Sequence, residues 1–236
     1  MKTTLITGVG RGIGKALAQK FLAEGYAVIG ATQTGTADYS HANLQIVQLD
    51  LASADSIRAC TEDIARTLAA AGTKLDILIN NAGALFDEDE THVVIDKLRR
   101  TLEVNLIGTI DWTEHMIPSL DASAHIVNMS SSAGALGAKS ETEVEFANSS
   151  HFPYHYPAYK ISKCALNMYT RTLAGRFVYE KAGITVSSVH PGWVKTDMGG
   201  PEAEVTPEEA ATNIFKLAIS RPETGQFWFN GKKYPW

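Results

Sequence analysis

The chain has 236 residues, 44% apolar and 20% charged, which is an ordinary globular composition with enough length for one large core. Its formal net charge of −5 at pH 7 argues against nucleic acid or an anionic membrane surface as the main partner. No apolar run reaches the roughly 18 residues of a membrane span, and MKTTLITG lacks the apolar core of a signal peptide. We therefore expect a soluble cytoplasmic protein with one domain over residues 1–236.

Short apolar runs alternate along the chain with longer stretches of helical spacing. Strands are predicted, in order, over residues 3–7, 27–31, 44–49, 75–79, 124–129, 184–189 and 226–229. The helices predicted between them cover 12–24, the stretch from the N-cap Ser53 to about residue 71, 97–120, 157–181 and 207–220. Such alternation, with few polar residues inside the strands, is typical of a parallel sheet covered on both faces. The sequence therefore predicts an α/β fold, a doubly wound parallel sheet of about seven strands.

One segment lacks any period. Residues 137–156, GAKSETEVEFANSSHFPYHY, are polar and predict a long loop, and loops of that length in compact domains are usually functional or mobile. We interpret 137–156 and the shorter segment 197–206 as substrate loops. The shortness of the second loop favours a fairly open substrate site.

TGVGRGIG, residues 7–14, follows the first predicted strand and opens the first predicted helix. At this place in a parallel sheet a helix N-terminus binds phosphate. The spacing fails the common G-x-G-x-x-G fingerprint, because the third position after Gly8 and Gly10 is Ile13. It fits G-x-x-x-G-x-G instead, with Gly8, Gly12 and Gly14. A tight turn that binds no ligand is the alternative interpretation.

Five further motifs follow along the chain: NNAG at 80–83, Asn105 in EVNLIG, NMSSSAG, YKISK at 159–163 and HPGWVKTDM. With the glycine turn they resemble the short-chain dehydrogenase/reductase family, in the family's order and over nearly the whole chain. The resemblance implies a Rossmann fold, a nicotinamide dinucleotide and hydride transfer. HPGWVKTDMGGP and GQFWFNGKKYPW are most similar to the carbonyl-reductase branch of the family, with its C-factor-like and sniffer-like members.

The resemblance also implies the cofactor contacts. In and after the glycine turn these are Gly8, Gly10, Arg11, Gly12, Ile13, Gly14 and Gln33. Farther along they are Asp50, Leu51, Asn81, Ala82, Gly83, Tyr159, Lys163, Pro191, Gly192, Val194 and Thr196. Asp50 is similar to the family's adenine-contacting Asp, and its alternative role is a helix cap. Residues 191–196 resemble the segment that contacts the nicotinamide carboxamide and the diphosphate.

The residues after the second predicted strand favour NADP(H) over NAD(H). NAD-binding forms of this fold place Asp or Glu there, on the adenosine ribose. Here the stretch is GATQTGT, residues 30–36, and the first acid is Asp38. Arg11 in the turn can pair with a 2′-phosphate in bidentate fashion, and family members with a basic residue just before GIG usually prefer NADP(H). The pattern departs from the family in one respect, since only Gln33 and Thr34 follow the strand, with no Arg or Lys.

Two Y-x-x-x-K pairs overlap, Tyr156/Lys160 and Tyr159/Lys163. Residues four apart share a helix face only if both are helical. Tyr156 precedes a proline, which pushes it out of the α region. We therefore choose Tyr159 and Lys163, which also match the family's YxxSK pattern, and expect Tyr156 and Lys160 to be surface or loop residues.

Hydride addition to a carbonyl leaves an alkoxide that must receive a proton. A tyrosine is a suitable donor once nearby cations stabilise its phenolate. The resemblance implies that Tyr159 donates the proton and that Lys163 supplies the positive charge and contacts the ribose hydroxyls. It also implies that Ser131 holds the carbonyl oxygen and that Asn105 holds a proton-relay water. We predict NADP(H)-dependent reduction of a small ketone or aldehyde to the alcohol, or the reverse.

Two other functions fit the same fold. A 3-oxoacyl-carrier-protein reductase shares this chemistry, and a regulatory or signalling protein binds the cofactor without turnover. The intact Tyr, Lys, Ser and Asn set argues against the second, because a pure binder needs no proton donor.

Three further features bear on partners. Ser131 and Tyr159 are 28 positions apart, farther than in many family members, and the flanking helices commonly form the family's subunit interface. The extra residues between them argue against carrying over directly the homodimer or homotetramer that the resemblance implies. The acidic run DEDE, residues 87–90, predicts a solvated surface. Because Pro153 interrupts the spacing of His151 and His155, no metal site is predicted.

Overall fold

The computed structural model describes residues 1–137 and 155–236, and there it forms one sheet of eight strands with helices on both faces. The strands are β1 (Thr3–Thr7), β2 (Ala27–Thr32), β3 (Leu44–Gln48), β4 (Leu75–Asn80), β5 (Leu120–Met129), β6 (Thr185–Val189), β7 (Gln226–Phe229) and β8 (Lys232–Lys233). Their spatial order is β3-β2-β1-β4-β5-β6-β7-β8, parallel except for β8, which pairs antiparallel with β7. The predicted doubly wound sheet is confirmed, with β8 as an added short strand.

The helices are α1 (Gly12–Ala23), α2 (Ala54–Ala71), α3 (Ile95–Leu102), α4 (Thr109–Met116), α5 (Pro157–Tyr179) and α6 (Pro207–Ile219). The single helix predicted over 97–120 is wrong in detail, because a π-helical segment, Glu103–Gly108, separates α3 from α4. The last residue of this segment, Gly108, packs closely against another part of the chain. A Cβ atom on Gly108 would lie 1.8 Å from the carbonyl oxygen of Leu51, so the backbones nearly touch.

Each face of the sheet has its own apolar core. Neighbouring strand residues point to opposite faces, as Leu5 and Ile6 of β1 do. Leu5 packs with residues of α2, α4 and α5, including Ile64, Trp112 and Leu173. Ile6 packs with residues of α1 and α6, including Leu17, Phe21 and Ile214. The two cores fix both helix layers, and with them the loops at the carboxyl ends of the strands.

His125 of β5 is buried and lies against the last turn of α6. Its Nδ1 is 2.9 Å from the Ala218 carbonyl oxygen, so Nδ1 carries the proton, and its Nε2 accepts from the Ser187 hydroxyl at 2.9 Å. Burial lowers the pKa of His125 from 6.5 to about 4. The folded protein therefore holds this histidine neutral.

We expect this histidine to make the fold sensitive to acid. Its pKa is lower in the folded than in the unfolded state, so the unfolded chain takes up the proton first. Its stabilising contribution is complete above pH 6.5 and is lost as the pH falls toward 4. Between about pH 7.5 and about pH 5.5 this costs about 1.3 kcal/mol of the free energy of unfolding. Urea unfolding of wild type and His125→Asn at both pH values measures it. An identical pH dependence in the two proteins would contradict the assignment.

Candidate active site

The carboxyl ends of β1, β4, β5 and β6 meet at one edge of the sheet, where open parallel sheets bind their ligands. This edge brings together the glycine turn, NNAG, Ser131 and the segment after His190. Helix α5 supplies Tyr159 and Lys163 to the same place.

The glycine turn is built so tightly that side chains are excluded. Gly8 and Gly12 have φ of +77° and +53°, which favours glycine. A Cβ on Gly14 would lie 2.0 Å from the Gly8 carbonyl oxygen, and one on Gly12 would lie 3.1 Å from Cγ2 of Thr196. The Asn81 amide donates to the Thr7 carbonyl at 2.8 Å and ties the turn to the end of β4.

The N-terminus of α1 suits an anion. Its N-cap residue, Arg11, makes no side-chain capping hydrogen bond, and the first turn, with Ile13 behind Gly12, has no acidic residue. The first backbone N–H groups of a helix lack intrahelical partners and carry partial positive charge. A cradle of glycines in front of such donors fits the diphosphate of a dinucleotide.

Arg11 lies at the mouth of this cradle and pairs with a residue that sequence reasoning missed. Its Nη1 is 2.7 Å from Oδ2 of Asp197, and the two side chains are 84% and 74% exposed. Lys15, one helical turn after Arg11, binds Asp38 at 2.8 Å. Asp38, the first acidic residue after β2, is thus paired with a lysine of α1. Gln33, which directly follows β2, is exposed. Asp197 could have been found as a site residue from its position inside the motif HPGWVKTDM.

Asp50 follows β3 without capping a helix, so that alternative is wrong. Its Oδ1 accepts from the Ala52 N–H at 3.0 Å. The N-cap of α2 is Ser53, whose hydroxyl accepts from the N–H of Ser56, as predicted for Ser53. Leu51 is buried next to Asp50, with its carbonyl against the π-helical segment.

Tyr159 is half-buried in the first turn of α5. Burial raises the pKa of Tyr159 to about 12, and a side-chain hydrogen bond with Ser131 acts in the opposite direction. The phenol is therefore protonated at neutral pH. Lys163 Nζ is 5.5 Å from the ring centre, and burial outweighs any attraction between its charge and the phenolate, so the net effect on the pKa of Tyr159 is upward.

Lys163 is 5% exposed, and its Nζ donates to the Met129 carbonyl at 2.8 Å. Burial lowers the pKa of Lys163 to about 8, so the ammonium still dominates at neutral pH. Gly83 of NNAG lies directly opposite, where a Cβ would be 3.5 Å from Nζ. The buried charge is thus held by the end of β5 and faces the end of β4.

Asn105 is 1% exposed and lies within the π-helical segment. Its Oδ1 accepts from the Ala84 N–H at 2.7 Å. Its Nδ2 donates to the Ala84 carbonyl at 2.8 Å and to the Ser162 hydroxyl at 3.1 Å. Both amide hydrogens are therefore used within the protein, and the side chain joins NNAG to α5.

Ser130 and Ser131, neighbours in the motif NMSSSAG, have different surroundings. Ser130 is buried, and its hydroxyl donates to the Lys163 carbonyl at 3.4 Å. Ser131 follows β5 by two residues, accepts from the Ala133 N–H at 3.1 Å and lies close to Tyr159. Of the two serines, Ser131 is the one that acts on the pKa of Tyr159 in the part of the chain that the structure describes.

Tyr156 lies in the loop directly before α5, one of the two places predicted for it, although it is not a surface residue. Tyr156 is half-buried, with its ring edge-on to that of Tyr159 at 6.1 Å. Lys160 Nζ lies 4.9 Å from the Tyr156 ring centre. The backbone of Tyr156 does leave the right-handed α region, with φ of 48° before Pro157. The first tyrosine is therefore the N-cap of α5 and packs on the second.

The segment after β6 turns back over the glycine turn. Gly192 has φ of +91°, and Pro191 precedes it. Val194 is buried and bridges Val205. The Thr196 hydroxyl donates to the Val194 carbonyl at 3.3 Å and accepts from the Gly199 N–H at 3.1 Å. Segment 197–206 is thus pinned beside the cradle.

Some predictions fall outside the described residues. Most of the loop 137–156, with His151, lies there. Within residues 1–137 and 155–236, no three His, Cys, Asp or Glu side chains are grouped to hold a metal ion. Over the same ranges, the helices are all too short or too polar to cross a membrane.

Comparison with known proteins agrees with this geometry. Residues 8–219 match the family described as Enoyl-(Acyl carrier protein) reductase. The chain is 30% identical to 1-hydroxy-2-glutathionyl-2-methyl-3-butene dehydrogenase of Rhodococcus sp. (strain AD45), over 96% of each chain. It is 28% identical to carbonyl reductase (NADPH) 1 of Mus musculus, over 98% of this chain and 97% of the relative. Carbonyl reductase Sniffer of D. melanogaster has a similar fold, with a TM-score of 0.83 and 26% identity over 100% of each chain.

Proposed function

Because this chain belongs to the short-chain dehydrogenase/reductase family, we propose that it is an NADP(H)-dependent carbonyl reductase acting on a small ketone or aldehyde. The observation that supports this best is the placement of the Ser131 and Tyr159 side chains next to each other, beside the buried Lys163. Two hydroxyl groups meet there at the edge of the sheet, with a cation behind them. A carbonyl oxygen is the substrate group that such a pair recognises.

Reduction of the carbonyl requires a hydride at its carbon and a proton at its oxygen. When bound, the reduced nicotinamide supplies a hydride to the carbonyl carbon. Ser131 Oγ and Tyr159 Oη donate hydrogen bonds to the carbonyl oxygen, and that oxygen takes the Tyr159 proton as the carbon–oxygen π bond becomes a lone pair. A pKa of about 12 keeps Tyr159 protonated at neutral pH, as reduction requires.

Lys163 and Asn105 complete the site. With one Nζ hydrogen on the Met129 carbonyl, Lys163 has two left for the ribose hydroxyls, and its charge stabilises the phenolate left by proton transfer. A relay water would re-protonate Tyr159. Since both amide hydrogens of Asn105 are used, we assign that water to its backbone carbonyl.

The cradle of Gly8, Gly12 and Gly14 supports a dinucleotide, and two cations on the first turns of α1, Arg11 and Lys15, support the 2′-phosphate of NADP(H). The name of the mouse relative records NADPH as its cofactor. NAD(H) is the weaker proposal. The proposed dinucleotide site also includes the other cofactor contacts predicted from the sequence.

The wider organisation is also a proposal. We propose one domain over 1–236, with substrate loops 137–156 and 197–206, in the cytoplasm, where the free thiols of Cys60 and Cys164 suit a reducing compartment. A homodimer or homotetramer is supported by apolar side chains exposed on the π-helical segment and on α5: Ile107, Ile161 and Met168.

NADPH oxidation by the full chain tests the activity. We expect turnover with aldehydes, ketones or diketones at least about tenfold above that with 3-oxoacyl and enoyl thioesters, since a compact carbonyl needs only the two hydroxyl donors. Faster turnover of a thioester would favour an acyl-carrier-protein reductase, as the matched family's description suggests. Tight NADPH binding without turnover of any substrate would favour a regulatory protein.

A further inference from the structure

The acidic run at residues 87–90 contacts the helix that carries Tyr159 and Lys163. Asp87 is 1% exposed, so the expectation of a solvated run is wrong at its first residue. Its Oδ2 accepts from the backbone N–H of Ala158 at 2.6 Å. Three residues later, the carbonyl of Glu90 accepts from the N–H of Tyr156 at 2.9 Å. Two hydrogen bonds from one short segment thus hold the first turn of α5.

Helix α5 needs this external partner because its own sequence provides no cap. Its N-cap is Tyr156, which makes no side-chain capping bond, and Pro157 has no N–H to offer. The first donor of the helix is therefore the N–H of Ala158, which is 1% exposed. Left unpaired there, it would carry the full cost of a buried polar group. Asp87 satisfies it from 71 residues away.

The charge of Asp87 is also well placed. A carboxylate at a helix N-terminus is stabilised by the partial positive charge of the first N–H groups. Lys160, in the same turn, is near enough that Asp87 raises its pKa against the effect of burial. The second carboxylate oxygen, Oδ1, is buried without a hydrogen-bond partner among the described residues. The carboxylate is thus buried and held mainly through the helix.

We propose that Asp87 is a positioning residue for carbonyl reduction: by capping α5 it sets the Tyr159 hydroxyl against Ser131. Tyr159 follows the capped Ala158 directly, whereas Ser131 lies two residues after the end of β5, so the two hydroxyls come together only if the first turn of α5 keeps its place. A displacement of about 1 Å in such a geometry is enough to cost about a hundredfold in rate. This inference rests on the proposed reductase function.

Three variants of the full chain test it: Asp87→Ala, Asp87→Asn and the matched control Asp89→Ala, which alters an exposed acid of the same run. We expect Asp87→Ala to lower kcat about 10- to 100-fold. The carbonyl KM and the NADPH Kd should change less than about threefold, because the cradle and the rest of the site are untouched. Asp87→Asn keeps an acceptor oxygen and should restore kcat to within about threefold of wild type. Asp89→Ala should match wild type.

Hydrogen exchange gives a readout that does not depend on activity: the first turn of α5 should exchange faster in Asp87→Ala than in Asp87→Asn or Asp89→Ala. An unchanged kcat per NADPH-binding site in Asp87→Ala would overturn the proposal, and so would a parallel loss of kcat and NADPH binding. If Asp87→Ala does not fold, Asp87→Glu replaces it, since its extra methylene should displace the turn and lower kcat. A wild type that reduces no carbonyl would instead overturn the proposed function, with exchange still reporting on the cap.

Discussion

The Tyr159→Phe variant is expected to bind NADPH within about threefold of wild type and to reduce carbonyls about a thousandfold more slowly. The change removes the proton donor and only one of many cofactor contacts, and general acid catalysis contributes about 10²- to 10⁴-fold to such steps. Ser131, whose hydroxyl accepts from the Ala133 N–H, is assigned as the second hydrogen-bond donor to the carbonyl oxygen and not as the proton source. The measurement is kcat on the best carbonyl of the substrate panel, with the NADPH Kd determined by fluorescence titration.

The matched control is Tyr156→Phe. Tyr156 is a half-buried tyrosine three residues away, on the same ring cluster, and it heads the competing Y-x-x-x-K pair. Its ring stays in Tyr156→Phe, so packing against Tyr159 is kept and kcat should change less than about threefold. A larger loss in Tyr156→Phe than in Tyr159→Phe would assign the chemistry to Tyr156 and Lys160. Equal activity of Tyr159→Phe and wild type would remove the proton donor from the proposal.

The sheet and the glycine turn were predictable because their determinants are local. Apolar runs give the strands, and the spacing of Gly8, Gly12 and Gly14 meets a backbone requirement that the structure shows as contacts as short as 2.0 Å. The choice of Tyr159 over Tyr156 was also local, since a proline next to Tyr156 decides its backbone. Short-range sterics act on neighbouring residues, and the sequence displays neighbours directly.

What the sequence could not predict depends on distant contacts. Asp87 stands in an acidic run that is typical of a solvated surface. It is nevertheless buried, and it accepts a hydrogen bond from the first turn of α5, which lies 71 residues later in the chain. The π-helical turn around Asn105 ends at Gly108, which packs against Leu51. Helical periodicity in the sequence does not predict such a contact between distant residues. The pKa of Tyr159 likewise depends on how deeply α5 packs, which no motif states. Burial and long-range hydrogen bonds, rather than residue identity, decide these features.

Arg11→Ala is expected to weaken NADPH binding about 10- to 100-fold and NADH binding less than about threefold. Charge-assisted hydrogen bonds of a guanidinium to a phosphate are worth about 1.5–3 kcal/mol, and NADH has no 2′-phosphate to receive them. The ion pair of Arg11 with Asp197 does not prevent this role, because both side chains are largely exposed and such pairs are weak. Titration of both dinucleotides against wild type and variant measures the two losses.

Asp197→Asn separates the two partners of that ion pair. If Asp197 competes with the 2′-phosphate for Arg11, removing its charge should leave NADPH binding equal to wild type or up to about threefold tighter. The Arg11→Ala, Asp197→Asn double variant should then bind NADPH like Arg11→Ala, because Asp197 acts through Arg11 alone. Equal losses of NADPH and NADH in Arg11→Ala would instead place the guanidinium on a group that both dinucleotides share, such as the diphosphate at the α1 N-terminus. In that case Lys15, which binds Asp38 after β2, would be the cation in the first turn of α1 that remains for the 2′-phosphate.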